Sequence, residues 1–275
     1  MTVKPPGRRE PGNTAGGSTR SLPGFDVTVA NPARMWDYWL GGKDNFTADR
    51  EAALAVTEAL PTLPDAIRRC RAFVRQSVHR LAAGHGIRQF LDIGTGLPTV
   101  GNVHEVAQQV APDSRIVYVD FDPIVASHAR ALLSSHPEGK AEFVQADLRE
   151  PELILRKAGA ALDFSRPAAV VLANILHFIP DADDPYRIVA CLMGAMAPGS
   201  FLVIVHGASD IRAEEAAEGV RRYNELSSAP LTFRTREQVT RFFDGLELLN
   251  AGGGPGRLGE SGGAQLSYFG IGRRP

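Results

Sequence analysis

After Gly84 the apolar positions fall into short runs at 88–93, 115–119, 141–145, 168–174 and 201–205, each bounded by polar or turn-forming residues. Runs of that length read as strands, and the stretches 99–110, 123–134 and 184–196 between them carry apolar residues at helical spacing. Short apolar strands joined by crossover helices predict a parallel sheet covered on both faces. Two later runs, near 246–250 and 265–271, complete a seven-stranded, mostly parallel, doubly wound α/β sheet of Rossmann-like type. The glycine-rich stretch 252–263 between them reads as a mobile hairpin loop.

Upstream of Gly84 the pattern is helical. Asn31-Pro32 reads as an N-cap followed by proline at the first helical position, and Met35, Trp36, Trp39 and Leu40 follow before Gly41-Gly42 stops the helix. A second helix is predicted from Ala48 to Leu60. A third starts near Pro64, with Ile67, Cys70, Val74, Val78 and Leu81 on one face. Its arginines (Arg68, Arg69, Arg71, Arg75 and Arg80) read as a wet face. Residues 1–22 are rich in Pro, Gly, Ser and Arg and too poor in bulky apolar groups to repay ordering, so they read as a disordered tail. The chain thus divides into that tail, a helical lid or extension over 23–84, and a ligand-binding domain over 85–275.

Charge and cysteine content narrow the field. Lysine plus arginine number 30 against 31 aspartate plus glutamate, a net charge of −1, so the balance does not point to nucleic acid, whose binders carry a basic excess. Cys70 and Cys191 sit in apolar helical patterns, lack metal-ligand or redox spacing, and read as small core residues. No signal-peptide h-region and no bilayer-length apolar run occur, so the expectation is a cytoplasmic protein without a membrane partner.

The candidate chemistry lies at the ends of the predicted strands. The first delivers Asp92-Ile93-Gly94-Thr95-Gly96, an acidic residue followed by a glycine turn that lets backbone approach a ligand closely. The Asp92 carboxylate suits a bound ammonium. A dinucleotide turn would prefer G-x-G-x-x-G, whereas Pro98-Thr99 occupies the end of this one. Asp120 closes the second strand, where an acidic residue accepts from ribose hydroxyls, and Phe121 beside it can pack on adenine. Asp122 is a nearby alternative carboxylate, and Asp122-Pro123 also makes a helix start. After the third strand, Asp147 can accept from an adenine amino group while the Leu148 backbone reads the ring edge. Asn174, at the fourth strand end, offers donor and acceptor to a methionine moiety. His177 and His206, after the fourth and fifth strands, are candidate bases or substrate-orienting groups, each with a plain structural reading beside it.

These motifs, in this order, resemble class I S-adenosylmethionine-dependent methyltransferases. More narrowly, the chain resembles a bacterial S-adenosyl methyltransferase family long catalogued as a domain of unknown function. The resemblance rests on the run Asn31 to Phe46, on Asp49-Arg50-Glu51-Ala52, on Phe90 to Thr99, on Tyr118-Val119-Asp120 and on Asn174 to Pro180, and covers about 31–250. Pro98 fits that family, whereas the glycine-rich end departs from it, because a tryptophan-containing segment is usual there. The resemblance implies S-adenosylmethionine as cofactor and methyl transfer to a small-molecule acceptor, with an aromatic or indole-type natural product of secondary metabolism as the expectation; a homodimer is compatible with it.

Such a reaction needs the nucleophile, methyl carbon and sulfur in line and water kept out. An oxygen or nitrogen nucleophile calls for a base, for which His177, His206, Tyr38 and Asp37 are the candidates. The first helix, ending at Gly41-Gly42, can hinge over the cofactor as a lid, with docking on the body as the alternative. Two rival functions stay in view: a nicotinamide-dependent oxidoreductase, disfavoured by the missing G-x-G-x-x-G, and a non-catalytic S-adenosylmethionine-binding regulator.

Overall fold

The computed structural model describes residues 26–99, 101–249, 258–260 and 266–275. The tail read over 1–22 lies outside them. Three helices open the fold: α1 (Pro32–Trp39), α2 (Thr47–Ala59) and α3 (Leu63–Gly84). The Asn31 side chain caps α1 by accepting from the Arg34 N–H, and Pro32 follows as read. Asp49 caps α2 from inside, accepting from the Phe46 N–H at 2.8 Å.

Strands and helices then alternate: β1 (Gln89–Ile93), α4 (Val103–Val110), β2 (Arg115–Asp120), α5 (Pro123–Leu132), β3 (Lys140–Gln145), α6 (Pro151–Ala158), β4 (Ala169–Ala173), α7 (Pro185–Gly194), β5 (Phe201–Gly207), α8 (Ala213–Leu226), α9 (Arg236–Thr240), β6 (Glu247–Leu249), β7 (Gly259–Glu260) and β8 (Ser267–Arg273). The seven-strand path runs β3-β2-β1-β4-β5-β8-β6. The strands from β3 to β5 pair in parallel, and β8 runs antiparallel to both β5 and β6.

Period-2 alternation sorts the strand residues between two cores. Leu91, Ile93, Val117, Val119, Val170 and Leu172 face Ile154, Ile188 and Leu192 of α6 and α7. Phe90, Ile116, Tyr118 and Val171 face Val74, Val78 and Leu81 of α3 and Val103 and Ala107 of α4. The third helix is therefore built into the sheet's own core. A smaller cluster joins Met35, Trp39, Ala53, Val56 and Ile67 to Tyr223 of α8.

Several expectations need correction. Part of the stretch read as a mobile hairpin, 258–260, carries a two-residue strand, β7, paired antiparallel to β8 through Gly259–Phe269 and Glu260–Tyr268; 252–257 and 261–263 fall outside the described residues. Helix α4 starts at Val103 rather than at 99, because Gly101 has φ +78° and Asn102 Oδ1 accepts from the Thr99 N–H, which holds an extended turn. Cys70 is buried as read, but Cys191 is only half-buried, with its thiol on Glu152 Oε1. Among the described residues no helix is long and apolar enough to cross a membrane.

Candidate active site

The strand order reverses between β1 and β4, and in such sheets the crevice at the carboxyl ends of the strands is where ligands sit. A cleft of about 720 Å³ opens there. Asp92, Gly94, Thr95, Gly96, Asp120, Phe121, Asp147, Leu148 and Asn174, which the sequence assigned to the cofactor, all line it. Helix α1 lines it through Pro32, Ala33 and Trp36, and Leu40 just after the helix joins them.

The glycine turn is shaped for close approach. Gly94 has φ +74°, and a Cβ there would fall 2.4 Å from Ile175 Cγ1. Gly96 has φ +64° and open space where a Cβ would stand, so a side chain there would enter the cleft. The Gly96 N–H donates to Asp120 Oδ2 at 3.0 Å, and the Asp122 N–H donates to Asp120 Oδ1 at 3.0 Å. These bonds fix the carboxylate at the strand end with lone pairs to spare.

Burial pushes the Asp92 carboxyl up to about 7, opposed by the Arg71 guanidinium and by a hydrogen bond with Thr95. Burial likewise pushes Asp120 up to about 6, opposed by its backbone donors. Two carboxyls held that high in one cleft are poised to become ionised against a cationic or donor-bearing ligand.

Asp122 Oδ1 caps α5 through the Ile124 N–H, and its Oδ2 accepts from Asn31 Nδ2 at 2.7 Å. That bond ties the start of α1 to the strand end carrying Asp120. A buried ion pair, Arg34–Asp49 at 2.8 Å, joins α1 to α2. The Asp147 carboxylate is occupied by its own turn: the Arg149 N–H and guanidinium both donate to it, and Arg149 also reaches Asp183. An adenine amino group would compete with that arginine for Asp147. Phe121 stands 58% exposed at the cleft mouth, free to cover a ring.

The base candidates separate. His206 is fully buried, its Nδ1 bonds to the Gly207 carbonyl at 2.8 Å and its Nε2 meets Arg234 Nη1 at 3.0 Å. Both ring nitrogens are therefore engaged, and His206 lines neither of the two described cavities. Asp37 lines the cleft, and its Oδ2 accepts from the Asp44 N–H and Asn45 Nδ2, each at 2.8 Å, so it also braces the α1–α2 turn. Tyr38 packs beside the Met35–Trp39 cluster and lines neither cavity. His177 alone keeps a free nitrogen: it is buried, and its Nδ1 has no hydrogen-bond partner.

Two residues escaped the sequence reading. Arg71, placed there on a wet face, lines the cleft beside Asp92 and donates to Thr99 Oγ1. Its one available signal was its place next to Cys70 and three residues before Val74, on the buried edge of α3. Arg234 follows no periodic pattern, yet it is buried and bonds the carbonyls of Leu176 and Ile179, at 2.9 and 2.7 Å, and Asp181. It holds the segment after β4 that lines the cleft.

A doubly wound seven-stranded sheet carrying an acidic glycine turn after β1 and a buried acid after β2 defines a class I S-adenosylmethionine-dependent methyltransferase. The chain belongs to the S-adenosyl methyltransferase family, whose model matches residues 18–255. It is 38% identical to a DUF574 family protein from Streptomyces avermitilis MA-4680, with TM-score 0.86 over 91% of this chain and 99% of that one. It is 39% identical to a protein from Thermobifida fusca YX described as a candidate methyltransferase, with TM-score 0.81 over 94% and 99%. An O-methyltransferase family protein from Burkholderia thailandensis, 18% identical with TM-score 0.52 over 76% and 57%, shares the fold. No curated protein matches the chain.

Proposed function

We propose that this enzyme methylates a small aromatic acceptor, with the cofactor seated along the cleft from Asp92 to Asp147. S-adenosylmethionine supplies a methyl group already activated on a positively charged sulfur. The chain's task is to hold, orient and shield. The Asp92 carboxylate takes the ammonium of the methionyl end and Arg71 takes its carboxylate, an opposed pair matched to a zwitterion. Asp120 accepts from the ribose hydroxyls, Phe121 covers the adenine, and the Leu148 backbone meets its edge. Helix α1, tied down by Asn31–Asp122, closes the front of the cleft against water and sets the Trp36 face toward the sulfonium.

The observation that carries this reading is two buried carboxyls, Asp92 and Asp120, raised together in one cleft beside Arg71. Calorimetry with S-adenosylmethionine, S-adenosylhomocysteine and 5′-methylthioadenosine tests the assignment, because the last keeps the nucleoside and lacks the amino-acid end. Asp120→Ala should weaken all three. Arg71→Met should weaken the first two by roughly tenfold or more and leave methylthioadenosine unchanged. An equal loss for every ligand in Arg71→Met would show that the arginine acts only through the fold. Transfer of labelled methyl into a pool of small aromatic metabolites tests the reaction; cofactor binding with no transfer to any pool would favour the regulatory alternative.

A further inference from the structure

Beneath α1 lies a second, narrower chamber that the cofactor reading does not use. Trp36, Cys70 and Asn174 line both it and the cleft, so they form the neck between the two. Beyond the neck the walls are Trp39, Leu60, Ile67, Leu231 and Phe233, and among the described residues no Asp, Glu, Lys or Arg lines the chamber. Its volume is about 50 Å³, room for only a few heavy atoms, where a single water needs roughly 10–15 Å³.

Two polar groups in that wall are buried without a hydrogen-bond partner, the Tyr223 hydroxyl and the His177 imidazole, and only the imidazole is a base. His177 lines the chamber, is 4% exposed, and its Nδ1 bonds to nothing. A buried polar atom left unmatched costs free energy that a bound partner recovers. The ring lies among Phe178, Phe233 and His206, with centroids 4.6, 5.8 and 5.8 Å away. Burial, with His206 and Arg234 adding to it, holds the imidazole well below its ordinary pKa, so it is neutral and offers one N–H and one lone pair. The Cys70 thiol at the neck is pushed up to about 11 by burial and carries no charge either.

We propose that this chamber is the acceptor subsite: it receives the reacting end of an uncharged planar ring bearing one N–H or O–H, and the His177 Nδ1 lone pair accepts that hydrogen. The inference deepens the methyl-transfer reading by giving the acceptor's chemical class, and rests on it for the reaction but not for the binding. The rest of the acceptor lies in the wider cleft, whose volume leaves room beside a nucleoside. A carboxylate or ammonium at the reacting end is disfavoured, because no charged group among the described residues lines the chamber to neutralise it.

Pyrrole and furan separate the claim cleanly: either ring lies at the neck with one edge in the chamber, they share size and flatness, and only pyrrole donates. Both are titrated by NMR into the full chain, with and without S-adenosylhomocysteine, following the His177 ring nitrogens and the Trp36 indole. Pyrrole should bind about 3- to 10-fold more tightly than furan and move the Nδ1 resonance, with or without the nucleoside. In His177→Phe the preference should vanish. Equal affinities in the wild-type chain, a preference for furan, or pyrrole binding that leaves Nδ1 unmoved would each overturn the proposal. Failure of S-adenosylhomocysteine to bind would instead strike the cofactor reading, and the pyrrole–furan comparison would still be decided on the unliganded chain.

Discussion

Asp92→Asn is expected to weaken S-adenosylmethionine binding by roughly 30- to 1000-fold, the range for removing one partner of a buried charge pair. The carboxylate is buried against the Arg71 guanidinium, so the amide that replaces it cannot balance an incoming ammonium. The wild-type enzyme should mimic this change in acid. With Asp92 pushed up to about 7 and Asp120 to about 6, binding below those values must first strip a proton from each. Affinity should therefore fall about 100-fold between about pH 8 and about pH 5.5, if both carboxylates are ionised in the complex. Asp92→Asn should flatten the upper part of that profile, because its side chain no longer titrates. For the unliganded fold the sign is opposite: the raised Asp92 contributes stability that is complete below its ordinary value of 3.8 and is lost as pH rises through about 7. Calorimetric titration across the pH range checks the prediction; a flat wild-type profile would remove Asp92 from the ligand.

The parts of this site that repeat a local rule were legible in the sequence. Asp92 to Gly96 and Asp120 stand at the ends of apolar strands, and a doubly wound sheet sends every such end to one edge, so reading the strands also located the carboxylates. Asn31 and Asp122 were readable as caps for the same local reason, but the bond between them spans 91 positions and no local pattern carries it. Histidine type alone did not separate His177 from His206: the difference is whether Arg234 and the Gly207 carbonyl occupy the ring. The helices α6 and α8 escaped because α6 is a single short amphipathic stretch and the buried face of α8 is small, with Ala216 and Gly219 beside Tyr223. Gly219 is small for a reason visible only in the fold: a Cβ there would meet Leu60 Cδ1 at 2.3 Å.

Arg234→Ala should be among the most destabilising single changes away from the cofactor contacts, costing about 3–5 kcal/mol, as expected for breaking a buried charge network. The guanidinium is fully buried and serves Leu176 O, Ile179 O, Asp181 and His206 Nε2 at once; its loss leaves two carbonyls and a ring nitrogen without donors. Arg234→Lys should recover only part of this, because an ammonium cannot span the fork of partners. The segment after β4 lines the cleft, so cofactor affinity should fall with stability. The pH dependence distinguishes this network from simple loss of packing. Burial, with Arg234 adding to it, pushes His206 down to about 3, so its contribution to stability is present above 6.5 and is lost as pH falls toward about 3. Without the guanidinium, and with Asp181 still near, His206 accepts a proton more readily. The stability deficit of Arg234→Ala should then shrink as pH falls from about 7 to about 4, in urea titrations of both proteins. A deficit that stays constant across that range would mean that the arginine supports the fold by packing alone and that His206 does not feel its charge.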